Sequence, residues 1–559
     1  SLGGKGRGLA FVDSIIKHNP VFDDIDGVCV TIPRTVVLCT DVFDRFMALG
    51  DLYPLALSNI PDEEILRAFI DARLPADIVD NLDALLDVVD KPLAVRSSSL
   101  LEDSHYQPFA GVYATYMVPA AETRAQRLSM LATAVKSVYA SVFYRASKTY
   151  MTATSNVIDE EKMAVIIQEV VGDHHGEYYF PAFSGVGRSL NYYPLGDEKP
   201  EDGVAQVAVG LGKYIVDGGK GLRFSPRHPE HVLQTSTIDL ALRDTQTKLY
   251  ALRGRPVSAG EFNTDDGFNI CLVPVQQFAG TGALRYAAST YDASDGVLKD
   301  YEEGRGRRVI TFTNMLRDGA FPLARVIDTM LQKGQEAMQR PVEIEYAGSL
   351  RAASSDRGRR GVVYWLQIRP IIDRRELVDE TLTDAPDDAL LLRSTSALGN
   401  GSIDDVRTVV YVRPEAFDSL RTPQLAATLR DINDRLAAEG EHYILIGPGR
   451  WGSSDPALGI PVAWTDIAHA RLIVEASQNG YRVEPSQGTH FFQNLTSLGV
   501  GYFTVDASGT DAGDDLYDIA ALEAAPATFD DGHIRVVRFD RPLTICINGR
   551  AGKGVVYKS

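Results

Sequence analysis

Apolar residues recur mostly every three to five positions through residues 61–90 (Ile65, Phe69, Leu74, Ile78, Leu82, Leu85, Leu86), close to the spacing of one buried helix face. The same rhythm predicts a long amphipathic helix over 123–150 and a shorter one near 320–338. Elsewhere it gives way to strand patterns. Residues 30–39 read as one strand with Pro33 near its start, and 163–171 as a buried strand ending at Gly172. Residues 342–346 and 362–370 read as two strands flanking a basic loop, and 204–224 contain glycine turns. An acidic, Pro-containing stretch at 376–388 reads as a linker. Beyond it the texture changes to short strands and many glycines, which predicts a separate α/β module over 391–559.

Composition narrows the class. A chain of 559 residues exceeds one hydrophobic core and predicts three or four domains. Its net charge of −19 argues against general binding to nucleic acid or anionic membrane. No apolar run is long enough to span a bilayer, and no signal peptide opens the chain. Cys29, Cys39, Cys271 and Cys546 are scattered without a CxxC pair, as expected of reduced thiols in a cytoplasmic protein. Ser1 runs directly into a glycine-rich motif, so a missing N-terminal domain is expected.

The candidate chemistry lies where charge interrupts apolar strands. On a strand, Glu343 and Glu345 share one face among Val, Ile and Tyr. Paired carboxylates there require neutralisation, most simply by a divalent cation. Gln367 and Arg369, also two apart, add an amide and a fixed positive charge. The alternative is an ordinary half-exposed hairpin with Arg369 as cross-strand partner. Residues 2–10 form a glycine-rich turn entering a helix to about His18, where backbone N–H groups can approach an anion and Lys5 adds charge. Residues 93–104 deliver Arg96 and three serines before a glycine-containing hairpin at 109–115, a set suited to phosphate oxygens.

The order of these motifs resembles the N-terminal nucleotide-binding region of phosphoenolpyruvate synthase and pyruvate phosphate dikinase, a variant of the ATP-grasp architecture. The resemblance covers residues 2 to about 372. It rests on Gly3-Gly4-Lys5, Ile32-Pro33 with Thr40, Ala94-Val95-Arg96-Ser97-Ser98 with Glu102-Asp103, Phe109-Ala110-Gly111, the 165–171 strand, Gly210-Leu211-Gly212, Glu343-Ile344-Glu345 and Gln367-Ile368-Arg369-Pro370. It implies an α/β (α+β) fold with two ATP-grasp-like lobes: 1–160 with a helical insert, and 161–375. A linker at 376–390 and a smaller α/β module at 391–559, compared with a swivelling domain, follow. It also implies ATP and Mg2+ as cofactors. Lys5 and Arg96 would contact the phosphates, with Ser97, Ser98 and the loop at Gly111 closing over them. Gln168, Glu169 and Val171 would line the hinge, Glu169 and the Val171 backbone facing adenine and ribose. Glu343 and Glu345 would hold the metal, and Gln367 and Arg369 would align the phosphoryl groups.

Departures from that pattern set the open questions. Glu343 stands where the family usually has Asp, and Lys213 where Gly-Leu-Gly is usually followed by Glu. The family's phosphohistidine loop is missing, and about 170 residues cannot also hold an eight-stranded barrel. Leu458-Gly459-Ile460-Pro461-Val462 resembles the sequence after that histidine, whose place falls near Arg450. The loop at Arg450 and Ser453 is either a phosphate or carboxylate cradle or a tight glycine turn anchored by Trp451. His490, in Gly-Thr-His-Phe-Phe, is either a phosphoryl acceptor or a packed core histidine. Arg96, Arg369 and His490 are therefore the catalytic candidates. His174, His175, His228 and His231 fall in polar or Pro-rich loops, and the basic runs 305–308 and 357–360 read as solvated loops. Two functions follow: an ATP-dependent phosphotransferase with an unidentified acceptor, or a nucleotide-sensing regulatory protein with reduced catalysis.

Overall fold

The computed structural model describes residues 1–99, 113–148, 161–191, 197–258, 262, 269–302, 304–350, 360–371, 385–453, 455, 458–477, 500–506, 514–549 and 551–558. The chain divides into two compact units, one of Ser1–Ile215 with Lys220–Ile371, the other of Val216–Gly219 with Ile372–Ser559. Helices and strands mix in both, giving the expected α/β class. Among the described residues no helix is long and apolar enough to cross a membrane.

In the first unit, the predicted strand at 30–39 is two strands. Pro33 offers no N–H to a ladder, and the chain changes sheets across it. Val28–Thr31 pairs in parallel with Gly361–Pro370, whereas Thr35–Leu38 pairs antiparallel with Met163–Glu169. The described strands build a six-stranded sheet ordered Val28–Thr31, Gly361–Pro370, Val342–Leu350, Phe183–Arg188, Val204–Ala208, Leu222–Phe224. A four-stranded sheet is ordered Thr35–Leu38, Met163–Glu169, Leu93–Ser99, Thr115–Val118. Sheet membership therefore interleaves along the chain instead of changing once near residue 160.

The helical insert follows its apolar period with one break. Its helices are Asp62–Asp71 and Ala76–Leu85, each preceded by a proline, Pro61 and Pro75. Leu74 sits before Pro75, where helical backbone is disfavoured, so the continuous pattern is cut there. The helix expected over 123–150 starts as Arg124–Ser141 behind a capping box between Thr123 and Gln126, breaks at 142–144 and resumes at 145–148, with 149–150 outside the described residues. Leu323–Met338 packs Val326, Ile327, Met330 and Leu331 into the core shared with Val342, Ile344, Tyr346, Trp365 and Ile368. That core covers one face of the six-stranded sheet and leaves the glutamates on the other.

Among the described residues the second unit is built on a ten-stranded mixed sheet. Asn400–Val412, Tyr443–Pro448, Ala470–Ser477 and Gly501–Asp506 lie side by side in parallel, with helix Thr422–Ala438 between the first two in sequence. Its strands are not all short, as the sequence suggested. Asn400–Val412 runs 13 residues and its antiparallel partner Ile534–Asn548 runs 15, the ladder shifting at bulges. Bulges hide the length because they interrupt the period of two.

Candidate functional site

Arg96 is the half-buried member of an otherwise buried strand, Leu93–Ser99. From the four-stranded sheet its Nη2 donates to Glu345 Oε2 at 3.2 Å and to Gln367 Oε1 at 3.0 Å on the six-stranded sheet. Glu345 and Gln367 are direct cross-strand partners, and a register shift follows immediately between Glu345 and Tyr346. A guanidinium, a carboxylate and an amide oxygen thus converge from three strands. Lys5, in the first turn of helix Gly3–His18, directs its Nζ to Ser97 Oγ at 3.5 Å. This brings a second cation to the Arg96 strand.

Ser98 does something else. Its hydroxyl accepts from the Gly6 N–H at 2.9 Å and donates to the Leu2 carbonyl at 2.8 Å, pinning the helix start to the strand. Gly3, at φ +70°, passes so close that a Cβ would lie 1.8 Å from the Ser98 carbonyl oxygen. The glycines here first serve close packing of backbone on backbone.

Glu343 is separated from Glu345 in environment despite their shared face. Only 2% exposed, it receives Arg188 Nε on Oε2 at 2.6 Å and Arg369 Nε on Oε1 at 2.8 Å, with Arg369 Nη2 on the same oxygen. Burial pushes its carboxyl up, but the two guanidiniums outweigh burial and hold it below the ordinary glutamate range. Both oxygens thus carry arginine partners deep in the fold, and two guanidinium charges already neutralise the carboxylate. Glu343, expected as a metal ligand, sits in an arginine clamp. Arg188 was missed in the sequence, although it ends the strand Phe183–Arg188 directly opposite Glu343. A buried carboxylate facing Arg369 alone was the available signal, but only the pairing register identifies the second partner.

The Arg96 cluster and the strands that carry it all lie in the first unit. Residues 1–387 match the family described as pyruvate phosphate dikinase, AMP/ATP-binding domain. The chain belongs to that family. No curated protein matches it. Residues 1–387 are accordingly an AMP/ATP-binding domain of the dikinase kind.

Within this AMP/ATP-binding domain, Gln168 and Glu169 end the strand Met163–Glu169. Gln168 Nε2 donates to Thr35 Oγ1 at 2.9 Å, so its amide ties neighbouring strands. Glu169 lies 3.8 Å from Arg34, and Val171, just beyond the strand, is buried. The Gly210-Leu211-Gly212 turn is held by Ser184 Oγ on the Gly210 carbonyl and by the Leu211 N–H on the Tyr250 carbonyl, at 2.6 and 2.9 Å. Lys213 opens the short helix that follows. His174 and His175 sit in a strand, Asp173–His175, not a loop. Gly111 and His490 lie outside the described residues.

In the second unit, Gly449 and Gly452 have φ of +75° and +77° and flank the buried Trp451. Its indole Nε1–H donates to the Val474 carbonyl and its backbone N–H to Glu475 Oε1, both at 3.0 Å, while the Tyr502 hydroxyl holds Oε2. This geometry matches the packed glycine-turn alternative. Arg450 is buried, with Nη1 3.3 Å from the Gly218 carbonyl.

Proposed function

We propose that the chain is an ATP-dependent phosphotransferase that binds Mg2+–ATP in its first unit and passes a phosphoryl group to an acceptor still to be identified. The observation that carries this reading is the single guanidinium nitrogen of Arg96 shared by Glu345 and Gln367. Lys5, Arg96 and Arg369 supply positive charge for phosphate oxygens, the requirement of a transfer that needs little covalent chemistry from the protein. Glu345 and Gln367 contribute the carboxylate and amide oxygens that suit a hard cation, and would hold Mg2+ in place of the Glu343–Glu345 pair. When bound, Mg2+ neutralises and polarises phosphate oxygens. Glu343 and Arg188 act behind this set by fixing the Arg369 guanidinium. Ser97 supports Lys5, Ser98 supports the glycine-rich turn, and Glu169 with the Val171 backbone is assigned to the nucleoside end.

The test is to incubate the full chain with Mg2+–ATP and separate the nucleotides. Dikinase chemistry yields AMP and phosphate, a simple kinase yields ADP. Intact mass of the chain, with and without His490→Ala, reports whether a phosphoryl group is captured there. Arg96→Ala and Glu345→Gln are expected to abolish product. If wild-type chain neither consumes ATP nor binds it, the reading fails; binding without turnover selects the nucleotide-sensing alternative.

A further inference from the structure

Residues 225–231 read Ser-Pro-Arg-His-Pro-Glu-His, immediately after the edge strand Leu222–Phe224. Pro226 and Pro229 restrict the backbone, and two hydrogen bonds wind it further. The His228 N–H donates to the Ser225 carbonyl at 3.1 Å, and the His231 N–H to the His228 carbonyl at 3.0 Å. These successive turns stack the two imidazoles, with centroids 5.8 Å apart and 5° between their planes. Glu230 Oε1 lies 3.9 Å from His231 Nε2. One donor atom each from His228, Glu230 and His231 comes within 4.8 Å of the others. Donors about 2.1 Å from one ion stand roughly 3–4 Å apart, so small side-chain rotations close the set.

We propose that His228, Glu230 and His231 form a surface site for a divalent transition-metal ion of the zinc class. Two imidazoles and one carboxylate favour such an ion over Mg2+, which prefers oxygen alone. Asp202, which precedes the adjoining strand Val204–Ala208, places Oδ2 3.2 Å from His228 Nε2 and orients that ring. Its own charge is answered by Arg227 at 3.4 Å, which leaves Glu230 as the site's anion. Glu230 and His231 are about half exposed, so water can complete the coordination. An ion here pins the loop after the edge strand and stabilises the folded chain by binding it selectively.

Calorimetric titration of the EDTA-stripped full chain with zinc chloride tests the site. One zinc ion is expected to bind in the micromolar range without competition from millimolar Mg2+. His228→Ala and His231→Ala should each weaken binding by at least about tenfold. His442→Ala, which alters another stacked histidine pair, with His469, should leave it unchanged. Far-UV circular dichroism checks that each variant is folded. Binding no tighter than about 1 mM, or binding that survives both His228→Ala and His231→Ala, overturns the proposal.

Discussion

Glu343 and Glu345 are two residues apart yet carry opposite expectations for mutation. Glu343 is the carboxylate that Arg188 and Arg369 share, and replacing it leaves two guanidiniums facing each other out of water. Glu343→Gln is therefore expected to cost about 3–5 kcal/mol in urea unfolding. Glu345→Gln removes one charge from a less buried pair with a single arginine, so it should cost less than Glu343→Gln and show its effect on ATP turnover and Mg2+ dependence. Equal stability of the two variants would refute the clamp. The pH dependence follows with its sign. The Glu343 carboxyl is held below its ordinary value of 4.5, so its stabilisation is complete above that value and is lost as pH falls through the lower folded value. Wild-type chain should show a steep acid limb below about pH 4.5, and Glu343→Gln a flatter one, in unfolding measured from pH 7 downward.

At the level of elements, the site depends on how the glycine-rich helix start meets the Arg96 strand. The Ser98 hydroxyl bonds on both sides with no exposure to water. Ser98→Ala leaves the Gly6 N–H and Leu2 carbonyl without it, an expected loss of about 1–3 kcal/mol, together with weaker ATP binding through a loosened Lys5. Ser97→Ala removes the longer, 3.5 Å contact to Lys5 and should cost less stability than Ser98→Ala. Thermal unfolding and nucleotide titration of both variants distinguish support from direct contact. Much of this was legible in the sequence: apolar periodicity located the helical insert, the Leu323–Met338 helix, the strand of Glu343 and Glu345 and its partner carrying Gln367 and Arg369. Periodicity failed where local chemistry overrode it, as Pro33 sent one predicted strand into two sheets and Pro75 divided one helical run. The partners of Glu343 were legible by half. Arg369 lies in the adjoining motif, whereas Arg188 is 155 residues away and is chosen by strand register alone.

At the scale of the whole molecule, each compact unit has its own apolar core, one around Val326, Ile344 and Trp365, the other around Val409, Ile446 and Val474. Lys5, Arg96, Glu345, Gln367 and Arg369 all belong to the first unit. On the proposed reading Mg2+–ATP binds the folded form of that unit, so its effect on stability should be confined there. Scanning calorimetry of the full chain is expected to resolve two transitions, with saturating Mg2+–ATP raising one. At a ligand concentration a hundredfold above the dissociation constant, that unit gains about 2.7 kcal/mol, enough to move its midpoint by several degrees. Arg96→Ala should abolish the shift while leaving the other transition in place. An ATP-induced rise in the second unit's transition alone would move the nucleotide site away from the Arg96 cluster. A rise of neither, at millimolar ATP, would remove nucleotide binding from the chain's function.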